Sequence, residues 1–239
     1  MFSIVLAGLI PALAATNHAI TWDETIHVSS GVWGRMVELS DGSWLCVSTH
    51  FPPGTNGLLR LFRSTDACRT WTRLAEVPEV GRTFDNGELV RLRNGDLLLT
   101  GRSLIEGRSY RLPVYRSRDG GRSWRYLSNM DKSEGLGPRG LWEPDFWVLD
   151  DGRLVVTYSN EKHPGFSQVI SERVSTDHGV TWSEEIRAVA QPGGGQLRPG
   201  MSQMARLANG QYILVYEVVG RGNGDVHLKL SPDGVNWPA

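Results

Sequence analysis

The sequence predicts an all-β fold, a β-propeller of successive four-stranded antiparallel sheets, and three observations carry that reading. A phrase of the form Ser-x-Asp-x-Gly-x-Thr-Trp recurs four times, at Ser64–Trp71, Ser117–Trp124, Ser175–Trp182 and Ser231–Trp237, with its aspartates 53, 58 and 56 residues apart. A ladder of turn glycines, Gly42, Gly95, Gly152 and Gly210, precedes those aspartates by 24, 24, 25 and 23 residues. No window sustains a helical period. Self-similarity at a period of about 50–60 residues marks stacked units, and that is the size of one propeller blade.

Within a repeat the elements follow in order. Strands one and two flank the turn glycine, as in Met36-Val37-Glu38-Leu39 and Trp44-Leu45-Cys46-Val47 around Asp41-Gly42. Asp-Gly and Asn-Gly supply the positive φ that both central residues of a two-residue hairpin need. Strand three follows at Leu61–Arg63, Val114–Arg116, Glu172–Val174 and His227–Lys229, and the recurrent phrase leads into strand four. Asp and Ser bond nearby backbone in turns, and Trp supplies a large apolar contact. Asp66, Asp119, Asp177 and Asp233 are therefore read as folding devices, with Trp71, Trp124 and Trp182 buried between sheets. The first phrase departs from the pattern, with Cys68 at the glycine position, and the fourth is one residue short.

Composition limits the function. The chain has 239 residues, 25 basic and 26 acidic side chains and 40% apolar content. Neither charge forms a block, which speaks against nucleic acid or an anionic membrane as partner. Met1–Ala15 is apolar, too short to span a bilayer, and carries Ala12-Leu13-Ala14 as a small-x-small cleavage site. It reads as a secretory signal without a basic start, leaving residues 16–239 as the propeller domain and a secreted product. Cys46 and Cys68 allow at most one disulfide. The six histidines lack metal-type spacing, so no metal or cofactor is expected. Gly193-Gly194-Gly195 lacks the Lys-Ser/Thr of a phosphate loop.

The chemistry-bearing residues lie at the ends of the hairpins away from their turns. Glu143 stands nine residues before Gly152, and Glu217 seven after Gly210. Antiparallel strands place positions at similar distances from the turn at the same end of the sheet. Neighbouring blades thus bring two carboxyl groups to one mouth, as glycoside hydrolysis through an oxocarbenium-like state commonly uses. Two solvated rim glutamates remain the alternative, and Glu88, Asp145 and Glu161 stand near the same end.

The recurrent phrase is the Asp box, and four of them on hairpin turns resemble the sialidase-like propellers, usually six-bladed. That resemblance implies four blades of six, a chain truncated just past its fourth box, and a monomer when complete, with a genuine four-bladed propeller as the alternative. Trp142-Glu143-Pro144, Tyr158-Ser159-Asn160-Glu161, Arg198-Pro199-Gly200-Met201 and Tyr216-Glu217-Val218 resemble glycoside hydrolase family 93 over roughly residues 30–237. The resemblance implies a retaining exo-α-L-arabinanase that releases arabinobiose from 1,5-linked arabinan, with Glu143 and Glu217 as its catalytic pair. The apolar neighbours of Glu143 suit an acid/base and Tyr216 beside Glu217 suits a nucleophile. Arg35, Asp85, Asn160 and Arg198 are expected to touch the sugar, Arg102 and Arg221 less so. A sialidase and a non-catalytic propeller binding carbohydrate or protein are the alternatives.

Overall fold

A computed structural model describes residues 24–238 except 136, 138, 192, 193 and 223. The proposed signal Met1–Ala15 lies outside the described residues. Among these, four antiparallel sheets follow one another along the chain. The first holds β1 (Val32–Glu38), β2 (Trp44–His50), β3 (Leu58–Ser64) and β4 (Thr72–Val77). The second holds β5 (Thr83–Arg91), β6 (Leu97–Ile105), β7 (Ser109–Ser117) and β8 (Arg125–Glu134). The third holds β9 (Leu141–Val148), β10 (Leu154–Asn160), β11 (Val169–Ser175) and β12 (Ile186–Val189). Among the described residues the fourth has three strands instead of the expected four, β13 (Arg198–Arg206), β14 (Tyr212–Val219) and β15 (Asp225–Ser231), followed by its Asp box.

All four turn glycines sit in their hairpins at positive φ, between 78° and 91°. Apolar side chains alternate along the strands, so each sheet has two faces to bury. Leu45, Leu59 and Leu61 of sheet one meet Phe84, Leu89 and Leu99 of sheet two. Leu112 and Val114 meet Phe146 and Tyr158 at the next junction, and Val155 and Ile170 meet Leu214 and Val218 at the third.

The Asp boxes stitch their own turns. The Asp66 carboxylate accepts the Thr70 hydroxyl at 2.6 Å, the Thr70 amide at 2.9 Å and the Ser64 hydroxyl at 2.8 Å, and these bonds hold it down to about 2. Asp119, Asp177 and Asp233 repeat the pattern. The tryptophans are half-buried, less than expected. Trp124, Trp182 and Trp237 pack against the first, second and third junctions, whereas Trp71 joins none of these cores. A box packs against the sheet before its own, and among the described residues no sheet precedes the first.

The box glycine is required by that packing. A Cβ on Gly121 would stand 2.9 Å from Leu45 of the preceding sheet, on Gly179 3.0 Å from Leu98, and on Gly234 2.6 Å from Leu149. Cys68 occupies the corresponding place where no preceding sheet presses on it. Cys46 and Cys68 are free thiols.

Candidate active site

The first strand of every sheet carries a β-bulge at the same place. Nine residues before each turn glycine stand Trp33, Asn86, Glu143 and Met201, all left-handed, at φ 55°, 51°, 54° and 51°. Non-glycine residues seldom adopt this conformation. Bulges bend a strand and re-aim the side chain they carry. Seven residues before the same glycines stand Arg35, Glu88, Asp145 and Gln203, and seven after them Thr49, Arg102, Ser159 and Glu217. The mouth and the channel below it are thus built from repeating positions filled by different side chains.

Glu143 is half-buried, and its Oε2 accepts the Ser159 hydroxyl at 3.0 Å and the Met201 amide at 2.9 Å. The same oxygen lies 3.3 Å from where a Cβ on Gly200 would stand, and Gly200 pairs directly with Glu217 on the next strand. Adjacent antiparallel partners are about 4.5–5.5 Å apart at Cα. The structure therefore seats the Glu143 carboxylate against the strand neighbour of Glu217, at the same end of the sheets. Tyr212, Leu214, Tyr216 and Val218 face the third sheet, so by alternation Glu217 faces the opposite side. Its counterparts behave alike: Thr49 accepts the Asn86 amide of the following sheet, and Arg102 lies over Trp142 of the following sheet. Glu217 accordingly faces the flank that a following sheet would cover.

The expected sugar contacts divide. Asn160 is fully buried, its amide donating to Ser171 and Glu185 and its carbonyl accepting from Lys162. It anchors a loop and is not free to meet substrate. Asp85 is 1% exposed and holds Arg102 through two bonds, at 2.8 and 2.5 Å, so it too is a support and not a contact. Such a bidentate pair fixes both position and orientation. Arg102, given less weight in the sequence, is the residue Asp85 presents, with its guanidinium 4.1 Å from the Trp142 ring centre. Arg198 reaches the same ring at 5.9 Å and is held by Glu161 at 2.6 Å. Trp142 beside Glu143 thus has two cations near its ring, an attractive arrangement for a π system.

Arg35 lies two residues nearer the turn than Glu143, ~7 Å deeper along the strand. There it lines a cavity of about 490 Å³ with Glu88, Asp145 and Gln203. Its Nε is 3.2 Å from Glu88, while Asp145 accepts Gln203 at 3.2 Å and the Met204 amide at 2.9 Å. Burial pushes both carboxyl groups up, Asp145 raises Glu88 further, and Arg35 opposes both shifts. Arg35 is therefore a channel residue and not a counterpart of Asp85. Sequence reading missed Ser159 and the Met201 amide. Ser159 shares its distance from the turn with Arg102 and Glu217, and that shared distance was the signal available.

Comparison with known proteins agrees with this architecture. Residues 37–239 match the model of the BNR repeat-like domain. An α-L-arabinanase of Penicillium chrysogenum, solved with arabinobiose, superposes with a TM-score of 0.76 and 25% identity, over 87% of this chain and 65% of that one. A family-93 α-L-arabinofuranosidase of Fusarium graminearum, also with arabinobiose, gives 0.74 and 25%, over 86% and 64%. A Hadza microbial sialidase shares the fold at 16% identity and a TM-score of 0.60, over 86% and 45%. This chain thus spans slightly less than two thirds of the length of the two arabinan-related structures. A sequence search of curated proteins gives no match.

Proposed function

We propose, from the premise that this chain belongs to the BNR repeat-like family, that it carries the catalytic mouth of a secreted, retaining exo-1,5-α-L-arabinanase that releases arabinobiose from linear arabinan. One observation carries the proposal: the Glu143 carboxylate is held against the strand partner of Glu217 at the open end of two neighbouring sheets. The two similar enzymes solved with arabinobiose support the substrate class.

In a retaining mechanism one carboxylate attacks the anomeric carbon, while the other protonates the leaving oxygen and later activates water. Two donors hold Glu143 Oε2 in place, which suits a group that attacks with its other oxygen from a fixed position. We therefore assign Glu143 as nucleophile and Glu217 as acid/base, the reverse of the roles suggested by their sequence neighbours. Arg102 and Arg198, both near the Trp142 ring, are polar groups placed to orient the sugar hydroxyls. Such a site combines an apolar wall with a few placed polar groups.

The test is hydrolysis of linear 1,5-arabinan with product analysis and azide rescue. Arabinobiose should be the released unit. With azide, Glu217→Ala should yield an α-configured glycosyl azide and Glu143→Ala a β-configured one. The opposite pattern would exchange the roles, and full activity in both variants would end the proposal. Sequencing the mature N-terminus after expression tests secretion: a chain that still begins at Met1 would contradict it.

A further inference from the structure

The bulge that presents Glu143 also presents Trp33, in the same left-handed conformation and at the same distance from its turn glycine. The two residues share one backbone device, so they share one destination, the mouth. Trp33 is 43% exposed, and it meets Phe51, 56% exposed, edge to face at 6.3 Å. Two large aromatics standing together in solvent call for a reason.

An open flank supplies only part of that reason, for Met201, which also has a described sheet on one side only, is 37% exposed. Met36 is exposed too, but its counterparts Leu89, Phe146 and Met204 are all buried by the preceding sheet, so Met36 belongs to the flank. The counterparts of Trp33 behave differently. Asn86 and Glu143 stay partly open although sheets stand on both sides of them. Phe51 sits at the junction of the first two sheets, where its ring lies 2.8 Å from a Cβ placed on Gly57 and Gly57 accepts the Phe84 amide. It remains open with its neighbour in place.

We infer that Trp33 and Phe51 form an aromatic subsite that receives a sugar ring of a 1,5-α-L-arabino-oligosaccharide, away from the bond held at Glu143. The inference rests on the proposed function for the identity of the sugar. A furanose ring presents an apolar face of C–H groups, and rigid aromatic side chains supply matching area at low entropic cost. Trp33 stands two sheets from Glu143 around the mouth. The ring it receives therefore lies away from the scissile bond, and affinity should rise once the substrate is long enough to reach it.

Calorimetric titration of arabinotriose and arabinopentaose into the full chain carrying Glu143→Gln, which blocks turnover, tests this. The pentaose should bind more tightly than the triose, by about tenfold. Trp33→Ala should erase that gain and Trp33→Phe should keep most of it. If Trp33→Ala does not fold, Phe51→Ala carries the same expectation. A gain that survives the alanine variants, or no gain in the parent, overturns the subsite and leaves the proposed function standing. Failure of the parent to bind either sugar overturns both.

Discussion

The outer rim and the mouth are made by the same four repeats under opposite rules. On the rim the side chains repeat: Ser64, Ser117, Ser175 and Ser231 each donate to the aspartate two residues on. At the mouth the backbone repeats and the side chains do not. One bulge presents Trp33, Asn86, Glu143 and Met201 in turn. Identity where four units must stack, and variety where they converge, separates what holds the molecule up from what it can do.

The largest expected effect sharpens the mouth side of that contrast. Glu143→Gln keeps the size of the side chain and an oxygen to accept from Ser159 and Met201, so the fold should be retained. Turnover of arabinan should fall by at least about a thousandfold, as when a group acting in the transition state is removed. The checks are steady-state rates beside the urea midpoint. A variant that loses stability in place of activity would move Glu143 to the structural side.

Gly121→Ala asks the converse question of the rim. The new Cβ would meet Leu45 at 2.9 Å, and the backbone stands at φ 88°, where a side chain is strained. Strain and overpacking together should cost about 2–4 kcal/mol, read as a lower denaturant midpoint. An unchanged midpoint would mean that the close approach of the preceding sheet does not require a glycine in the box.

How legible these regions were follows from the same rule. The four hairpins and boxes were readable because turn chemistry is local and the repeats checked one another. The placement of Glu143 and Glu217 at the same end of neighbouring sheets was readable from their distance from the turn, which survives folding. The support residues were not: Asp85 and Asn160 look like mouth residues in sequence, but Asp85 lies beyond a bulge that no local composition marks, and Asn160 takes the face of β10 opposite to Ser159. The left-handed position at Glu143 has no glycine to announce it. Only superposing the four repeats on their turn glycines brings Trp33, Asn86, Glu143 and Met201 into register.

Glu172 gives a smaller, pH-dependent effect at the third junction. Its counterparts Leu61, Val114 and Leu228 are apolar, yet Glu172 is fully buried and accepts the Trp237 indole at 2.7 Å. Burial pushes it up to about 8, from an ordinary 4.5. The folded protein therefore holds the proton more tightly than the unfolded chain. Stability should be fullest below about pH 4.5 and decline as pH rises through about 8. Glu172→Gln should remove that decline and be the more stable form at high pH, by an amount of order 1–3 kcal/mol. Parallel melting curves for the two proteins would show Glu172 to be ionised throughout.

Cys68→Gly should have the smallest effect, and its smallness is the point. The same position is glycine in the other three boxes because a leucine of the preceding sheet presses on it. No described sheet presses on Cys68, which stands half-buried at φ 66°. Glycine would relieve that conformation while adding freedom to the unfolded chain, and these terms oppose each other. The midpoint should move by no more than about 0.5 kcal/mol equivalent, whereas Gly179→Cys, the reverse exchange at a covered junction, should cost several times as much. Equal costs at the two sites would show that the box glycine serves its own turn and not the packing of the sheet before it, and the rim would then have to be explained one blade at a time.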